Sequence, residues 1–242
     1  MYGDLAWLWP IISPPEHYIE EAELFARLVK RHSRIPVNTV LHLGCGAGHI
    51  DMTLKKHFEV TGSDISADML RLARKLNPEV EYVRGDMRTA RLGRLFDAVI
   101  IADSITYMST ESDLEAAFRT AHRHLKSGGV FCTYAEQTAD RFEQNKTEVS
   151  VRRRGDTEVV FIENSFDPDP GDTTCEFTFV YIIRRGGKLR IETDRHIGGL
   201  FNLATWLRSL RRVGFRIKQR RYPGENIPTF VCAKPSDVKS AR

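Results

Sequence analysis

The chain has 242 residues, 41% of them hydrophobic and 28% charged, with a formal net charge of +4. It is long enough for one full α/β core, its composition is that of an ordinary soluble domain, and so mild a charge argues against a dedicated nucleic-acid surface. No apolar run nears the ~18 residues of a membrane span, and Cys45, Cys132, Cys175 and Cys232 form no C-x-x-C pair, which argues against zinc and a disulfide framework and for a reducing cytoplasm.

In chain order, residues 1–12 are apolar but lack a basic start, carry Asp4 and are broken at Pro10. They read as an ordered flap or lid and not as a signal peptide. Pro14 and Pro15 open a helix, and Tyr18, Ala22, Phe25 and Val29 recur at helical spacing, which predicts an amphipathic helix over 16–31. The run Val40-Leu41-His42-Leu43 predicts a buried strand, and residues 49–58 a helix after it. A second strand starts at Glu59 and ends at Asp64. Ser66 caps a helix reaching Leu76, which Asn77-Pro78 stops. Strands follow at 80–83 and 98–102. Thr110 and Asp113 form a capping-box pattern opening a helix that runs to Leu125 and ends at Gly128-Gly129. A fifth strand covers 130–134.

The alternation then stops. Residues 149–151, 158–162, 175–183 and 189–193 alternate apolar and polar residues between turn signals at 154–156, 167–172 and Gly186-Gly187, which predicts an antiparallel meander. A helix over 203–213 ends at Gly214. Strands at 215–222 and 229–233 flank the turn Pro223-Gly224-Glu225-Asn226 as a closing hairpin, and the tail from Pro235 onward reads as frayed.

The informative stretch is Gly44-Cys45-Gly46-Ala47-Gly48, directly after the first strand. Glycines there let the backbone turn tightly and approach a ligand that a Cβ would block. The following helix would turn its free N–H groups on a polar tail. A dinucleotide loop is spaced G-x-G-x-x-G; here the third glycine is one residue early and no Arg or Lys lies in the loop. Asp64, at the tip of the second strand, can accept both hydroxyls of a ribose. The spacing favours a nucleoside with a small charged tail over NAD.

In these residues the chain resembles the class I S-adenosylmethionine (SAM)-dependent methyltransferases. Leu41-His42-Leu43-Gly44-Cys45-Gly46-Ala47-Gly48 is similar to their first motif, with His42 where an acid is usual. Gly62-Ser63-Asp64-Ile65-Ser66 is similar to the second motif, Gly85-Asp86-Met87 to the adenine-flanking motif, residues 96–101 to the fourth strand, and residues 125–130 to the turn into the fifth. The resemblance implies a Rossmann-like α/β fold: a seven-stranded, mostly parallel sheet with a C-terminal antiparallel hairpin and an inserted antiparallel meander. It implies one domain over 1–242, with a lid and helix at 1–36, a SAM-binding core at 37–147, an acceptor-side insertion at 148–200 and a closing helix and hairpin at 201–234. SAM is the implied cofactor. Gly44, Gly46, Gly48, Asp64, Ile65, Asp86, Met87 and Ala102 are its expected contacts, with Tyr18 reaching its tail.

The N-terminal Met1-Tyr2 start and the helix near Tyr18 resemble the amino-sugar N-methyltransferase branch, but its Glu-Pro-Trp-Trp run is replaced by Tyr134-Ala135-Glu136-Gln137. Tyr107 is the acceptor-side catalytic candidate, orienting or stacking on the acceptor; an unperturbed phenol is a poor base at neutral pH. The alternative for Tyr107 is a loop aromatic packed on the core. His196 is weighed as a base against a packed histidine, and the arginine pairs as phosphate ligands against solvated strand ends. The motifs of exocyclic-amine, cytosine and metal-assisted methylation are missing around 103–106. The expected activity is methyl transfer from SAM to N or O of a small-molecule acceptor, with neither nucleic acid, membrane nor metal involved and with homodimerisation left open. The alternative is a catalytically inactive SAM-binding partner or regulatory protein.

Overall fold

The computed structural model describes residues 1–222 and 227–236. The lid begins with a short helix, α1 (Trp9–Ile12), and a 3₁₀ turn at Pro15–Tyr18 leads into α2 (Ile19–His32). The helix expected over 16–31 is therefore split, because two prolines start its first turn in the tighter form. A βα alternation follows: β1 (Thr39–Leu43), α3 (Asp51–Leu54), β2 (Glu59–Asp64), α4 (Ala67–Leu76), β3 (Glu81–Arg84), β4 (Phe96–Ile100), α5 (Glu111–His124) and β5 (Leu125–Tyr134). The meander is β6 (Lys146–Arg154), β7 (Thr157–Phe166), β8 (Thr174–Arg185) and β9 (Lys188–Gly199). Then come α6 (Leu203–Val213), β10 (Arg216–Arg221) and β11 (Pro228–Ala233).

Seven strands form one sheet in the order β10-β11-β5-β4-β1-β2-β3, and the other four form a separate antiparallel sheet in chain order. β1 pairs in parallel with β2 and β4, while β11 pairs antiparallel with both β10 and β5. The sheet is mostly parallel with an antiparallel closing hairpin, and the meander is separate, as expected. The turn at 223–226 and the tail from 237 lie outside the described residues. Apolar clusters fill both faces of the large sheet. A third cluster packs Leu5, Leu8 and Ile12 against Phe177, Phe179 and Tyr181 of β8, so the lid is held by the meander.

Local chemistry places the helix ends. Ser66 accepts from Met69 N, Thr110 from Asp113 N and Asn202 from Thr205 N at three N-termini, and Gly214 stops α6 in the left-handed conformation at φ 105°. The expected stop of α5 at Gly128-Gly129 is wrong. The helix ends at His124, and both glycines lie inside β5, where a Cβ on Gly129 would stand 2.6 Å from the Asp97 carbonyl oxygen. Strand pairing to β4 and β11 outweighs the local helix stop.

Asp97 fixes where the central strands begin. It is 4% exposed. Its Oδ2 accepts from Asn38 N (3.0 Å), Thr39 N (2.8 Å) and Thr39 Oγ1 (2.9 Å), and its Oδ1 accepts from Lys126 Nζ (2.8 Å). Burial opposes its ionisation, but Lys126 and these N–H groups outweigh burial and hold the carboxyl at about 2. A carboxyl pushed down on folding stabilises above its unfolded value, and that contribution is lost as pH falls through the folded one. Asp97→Asn is expected to cost about 2 kcal/mol at pH 7, with the difference from the natural protein shrinking below about pH 4. Urea unfolding of both proteins across acid pH measures this.

Candidate functional site

The crevice opens where β1, β2 and β4 end, at the carboxyl edge of the sheet, as open α/β sheets provide. Gly44 and Gly46 turn the chain there at φ 69° and 53°. A Cβ on Gly44 would strike Ser104 Oγ at 2.1 Å and Met87 Cε at 2.7 Å, whereas one on Gly46 would meet only Met69 Cε at 3.6 Å. Gly46 thus leaves its backbone open to a ligand. Gly48 does not line the crevice, contrary to expectation. Its carbonyl accepts from Asn77 Nδ2 (2.8 Å), and a Cβ would come within 2.5 Å of the Tyr82 hydroxyl oxygen. Its φ of 73° and its contacts make it a packing glycine. The helix expected over 49–58 is one turn, Asp51–Leu54. Within it Met52 N donates to Gly48 O and Leu54 N to Ile50 O.

Asp64 closes the other side of the loop. Its Oδ2 accepts from Gly46 N and its Oδ1 from Ser66 N, each at 2.8 Å. Burial raises its carboxyl above the usual range, against the pull of these two N–H groups. Each oxygen keeps a lone pair for a further donor. Tyr18, Gly44, Gly46, Asp64, Ile65, Asp86, Met87, Ala102 and Tyr107 all line one cavity of about 380 Å³. Ile65 is 60% exposed, an apolar surface available to a planar ring. Asp86 is held in the fork of Arg88, which depresses its carboxyl and also reaches Asp113. An open glycine, a carboxylate with spare acceptor capacity and an apolar shelf suit an adenosyl group.

A second cavity of about 330 Å³ adjoins the first, and Tyr2, Trp9, Tyr18, Asp103 and Tyr107 line both. At the junction the Tyr2 and Tyr107 hydroxyls are 2.6 Å apart. Burial pushes both phenols further up, so Tyr107 is no base. His196 touches both rings, with centroids 5.4 and 5.8 Å away, and burial pushes it down to about 4. It is a packed neutral ring.

The second cavity is acidic. Asp103, Glu136, Glu148 and Glu163 line it, and no lysine or arginine does among the described residues. The charge of Asp103 beside it, then burial and a hydrogen bond between the two carboxyls, drive Glu136 well above the carboxylate range. Glu163 is pushed up to about 7 by burial, then by Asp103 and Glu148; Glu148 faces it directly across the β6–β7 pair. Sequence reasoning missed this group. Glu136 was visible only as an occupant of an altered motif, and Glu163 carried no signal, lying one residue past the strand expected over 158–162. Tyr2, Trp9 and His49, which also line the first cavity, were missed because the lid meets the loop only in three dimensions.

A parallel core with an antiparallel closing hairpin and a crevice at β1, β2 and β4 defines a nucleoside-binding α/β protein. Residues 40–129 match the family described as a methyltransferase domain. A dTDP-3-amino-3,4,6-trideoxy-alpha-D-glucopyranose N,N-dimethyltransferase of Streptomyces venezuelae is 31% identical over 204 residues, 83% of this chain and 84% of that one. The crystal structure of Streptomyces venezuelae DesVI matches with a TM-score of 0.83 and 28% identity, over 90% of this chain and 92% of that one. The SAM-bound amino pentose methyltransferase CalS10 of Micromonospora echinaspora shares the fold at a TM-score of 0.80, with 22% identity over 90% of this chain and 91% of that one. The chain belongs to the SAM-dependent methyltransferase family. Among the described residues no helix is long and apolar enough to cross a membrane.

If Asp64 holds the ribose, Asp64→Ala is expected to weaken SAM binding by roughly 2 kcal/mol or more, through two lost charge-assisted hydrogen bonds. Calorimetric titration measures it, and an unchanged affinity would remove Asp64 from the site.

Proposed function

We propose that this enzyme methylates the nitrogen of a small-molecule amine, held in the acidic cavity with its amine at the Tyr2–Tyr107 junction. The observation that carries the reading is that Asp103, Glu136 and Glu163 line that cavity together, beside Glu148, which pairs with Lys146 at 2.6 Å. An alcohol gives such a cavity nothing to neutralise. An alkylammonium ion does, and its entry lets Glu136 and Glu163 ionise. The relatives support the same chemistry, since the Streptomyces venezuelae enzyme is named for dimethylating an amino group.

Bound SAM supplies an electrophilic methyl on a sulfonium. The residues of this chain bind, align and dehydrate around it, and positioning of this kind can provide much of the rate. Gly46 and Asp64 are placed to hold the nucleoside, Ile65 and Met87 to flank its base, and the lid aromatics Tyr2, Trp9 and Tyr18 to keep water out. An amine arriving as an ammonium must lose a proton before its lone pair can attack. Glu136, ionised once the ammonium is beside it, is placed to take that proton, with Asp103 next to it. Tyr107, with its hydroxyl tied to Tyr2, orients the acceptor. All four cysteines are buried and unpaired, which suits the reducing cytoplasm in which we place the enzyme.

Isotope transfer from labelled SAM into matched panels of amines and alcohols tests the reading: label is expected in amines alone. Glu136→Gln is expected to lower kcat/KM for the best amine by about 100-fold, the usual scale of a positioned base and charge partner. Transfer to alcohols with amines inert would overturn the reading, and SAM binding without transfer to any acceptor would favour a binding module.

A further inference from the structure

Three of the four carboxyls in the acceptor cavity already have partners. Asp103 and Glu136 share a hydrogen bond, and Glu148 pairs with Lys146 at 2.6 Å. The Glu163 carboxyl has neither a hydrogen bond nor an ion pair among the described residues. Glu163 is half-buried on the lid-facing side of β7. Its cross-strand neighbours are Glu148 on β6 and Phe179 on β8. Phe161, two residues back on the same face, has its ring 5.4 Å from that of Phe179, and both rings line the cavity with Glu163.

The two ends of the cavity differ. Asp103 lines the cofactor cavity as well, so the Asp103–Glu136 pair stands at the transfer end. Glu163, Phe161 and Phe179 line the acceptor cavity only, set back from the cofactor. A carboxylate beside aromatic faces attracts an alkylammonium twice, by charge and through the ring quadrupoles. A phosphate or carboxylate on the acceptor has no such place. No lysine or arginine lines the cavity among the described residues, and Lys146 nearby is held by Glu148. A volume of about 330 Å³ is at the small end of ligand pockets, which suits a small metabolite with a positive charge at each end.

On the reading that this cavity takes an amine, we propose that Glu163 is a specificity residue that receives a second ammonium group, so that the acceptor is a free diamine. One nitrogen lies beside Asp103 and Glu136 for transfer. The other lies against Glu163 and the Phe161 and Phe179 rings. Burial, then Asp103 and Glu148, pushes Glu163 up to about 7. Tyr107, Glu136, Tyr181 and Lys146 are the other titratable groups around it. A cation beside it favours the ionised carboxyl, so the second ammonium is held more tightly as pH rises through that value.

Methyl transfer to linear diamines and to alkylamines of the same chain lengths, with phosphoethanolamine as an anionic amine, tests this. The natural protein is expected to use the best diamine with a kcat/KM about tenfold or more above that of the matching alkylamine, the scale of one charge-assisted hydrogen bond. Glu163→Gln is expected to raise KM for the diamine about tenfold more than KM for the alkylamine, with kcat for the two changing alike. In the natural protein the diamine preference is expected to grow from about pH 6 to about pH 8, and in Glu163→Gln to stay flat. Equal use of both amines, equal KM losses in the variant, or better transfer to phosphoethanolamine would overturn the assignment. Transfer to alcohols with every amine inert would instead reject the amine site itself, and this proposal with it. Should the variant fail to fold, the pH dependence in the natural protein decides, and a preference that is constant across that range would refute the role.

Discussion

The Asp64 carboxylate is the constraint on which this site depends. One oxygen holds Gly46 N of the glycine loop and the other holds Ser66 N at the start of α4. Ser66 in turn donates its hydroxyl to the Tyr2 carbonyl. A single side chain at the tip of β2 therefore ties together the loop after β1, the helix after β2 and the lid. Its burial makes ionisation costly, and the two backbone donors keep the carboxylate oriented toward the crevice.

The two cavities differ in what they lack. The cofactor side is built from glycines, aromatic faces, histidine rings and the carboxyls of Asp64, Asp86 and Asp103, with its one arginine already committed to Asp86 and Asp113. The acceptor side concentrates carboxyls whose mutual repulsion and burial keep part of them protonated. A sulfonium and an ammonium repel each other in a low-dielectric crevice. An acidic chamber behind the junction is the arrangement that would let both occupy it. The carboxyls come from three separate places in the chain: Asp103 after β4, Glu136 after β5, and Glu148 and Glu163 on facing meander strands. Only the docking of the meander against the lid and the sheet edge assembles them.

Legibility varied with the range of the interaction. The order of strands and helices from 39 to 134 could be read because apolar periodicity and caps are local: Ser66 and Thr110 act where local chemistry places them. The misplaced stop at Gly128-Gly129 came from the same logic, overruled by pairing of β5 with β4 and β11. Gly48 resembled its neighbours in sequence, yet its contact is with Tyr82 and Asn77, 34 and 29 residues away by numbering.

The sequence by itself determined the parallel core, the separate meander, the closing hairpin and the place of Gly44, Gly46 and Asp64. Each of these follows from local residue patterns: period and turn signals for the strands, and short fixed spacing after β1 and β2 for Gly44, Gly46 and Asp64. Tertiary structure alone decided that Gly48 packs away from the crevice, that α3 is a single turn, and that four carboxyls share a chamber. Those outcomes depend on side chains from distant elements meeting in one place, where neighbouring charges set their state, and no local pattern in a chain records that meeting.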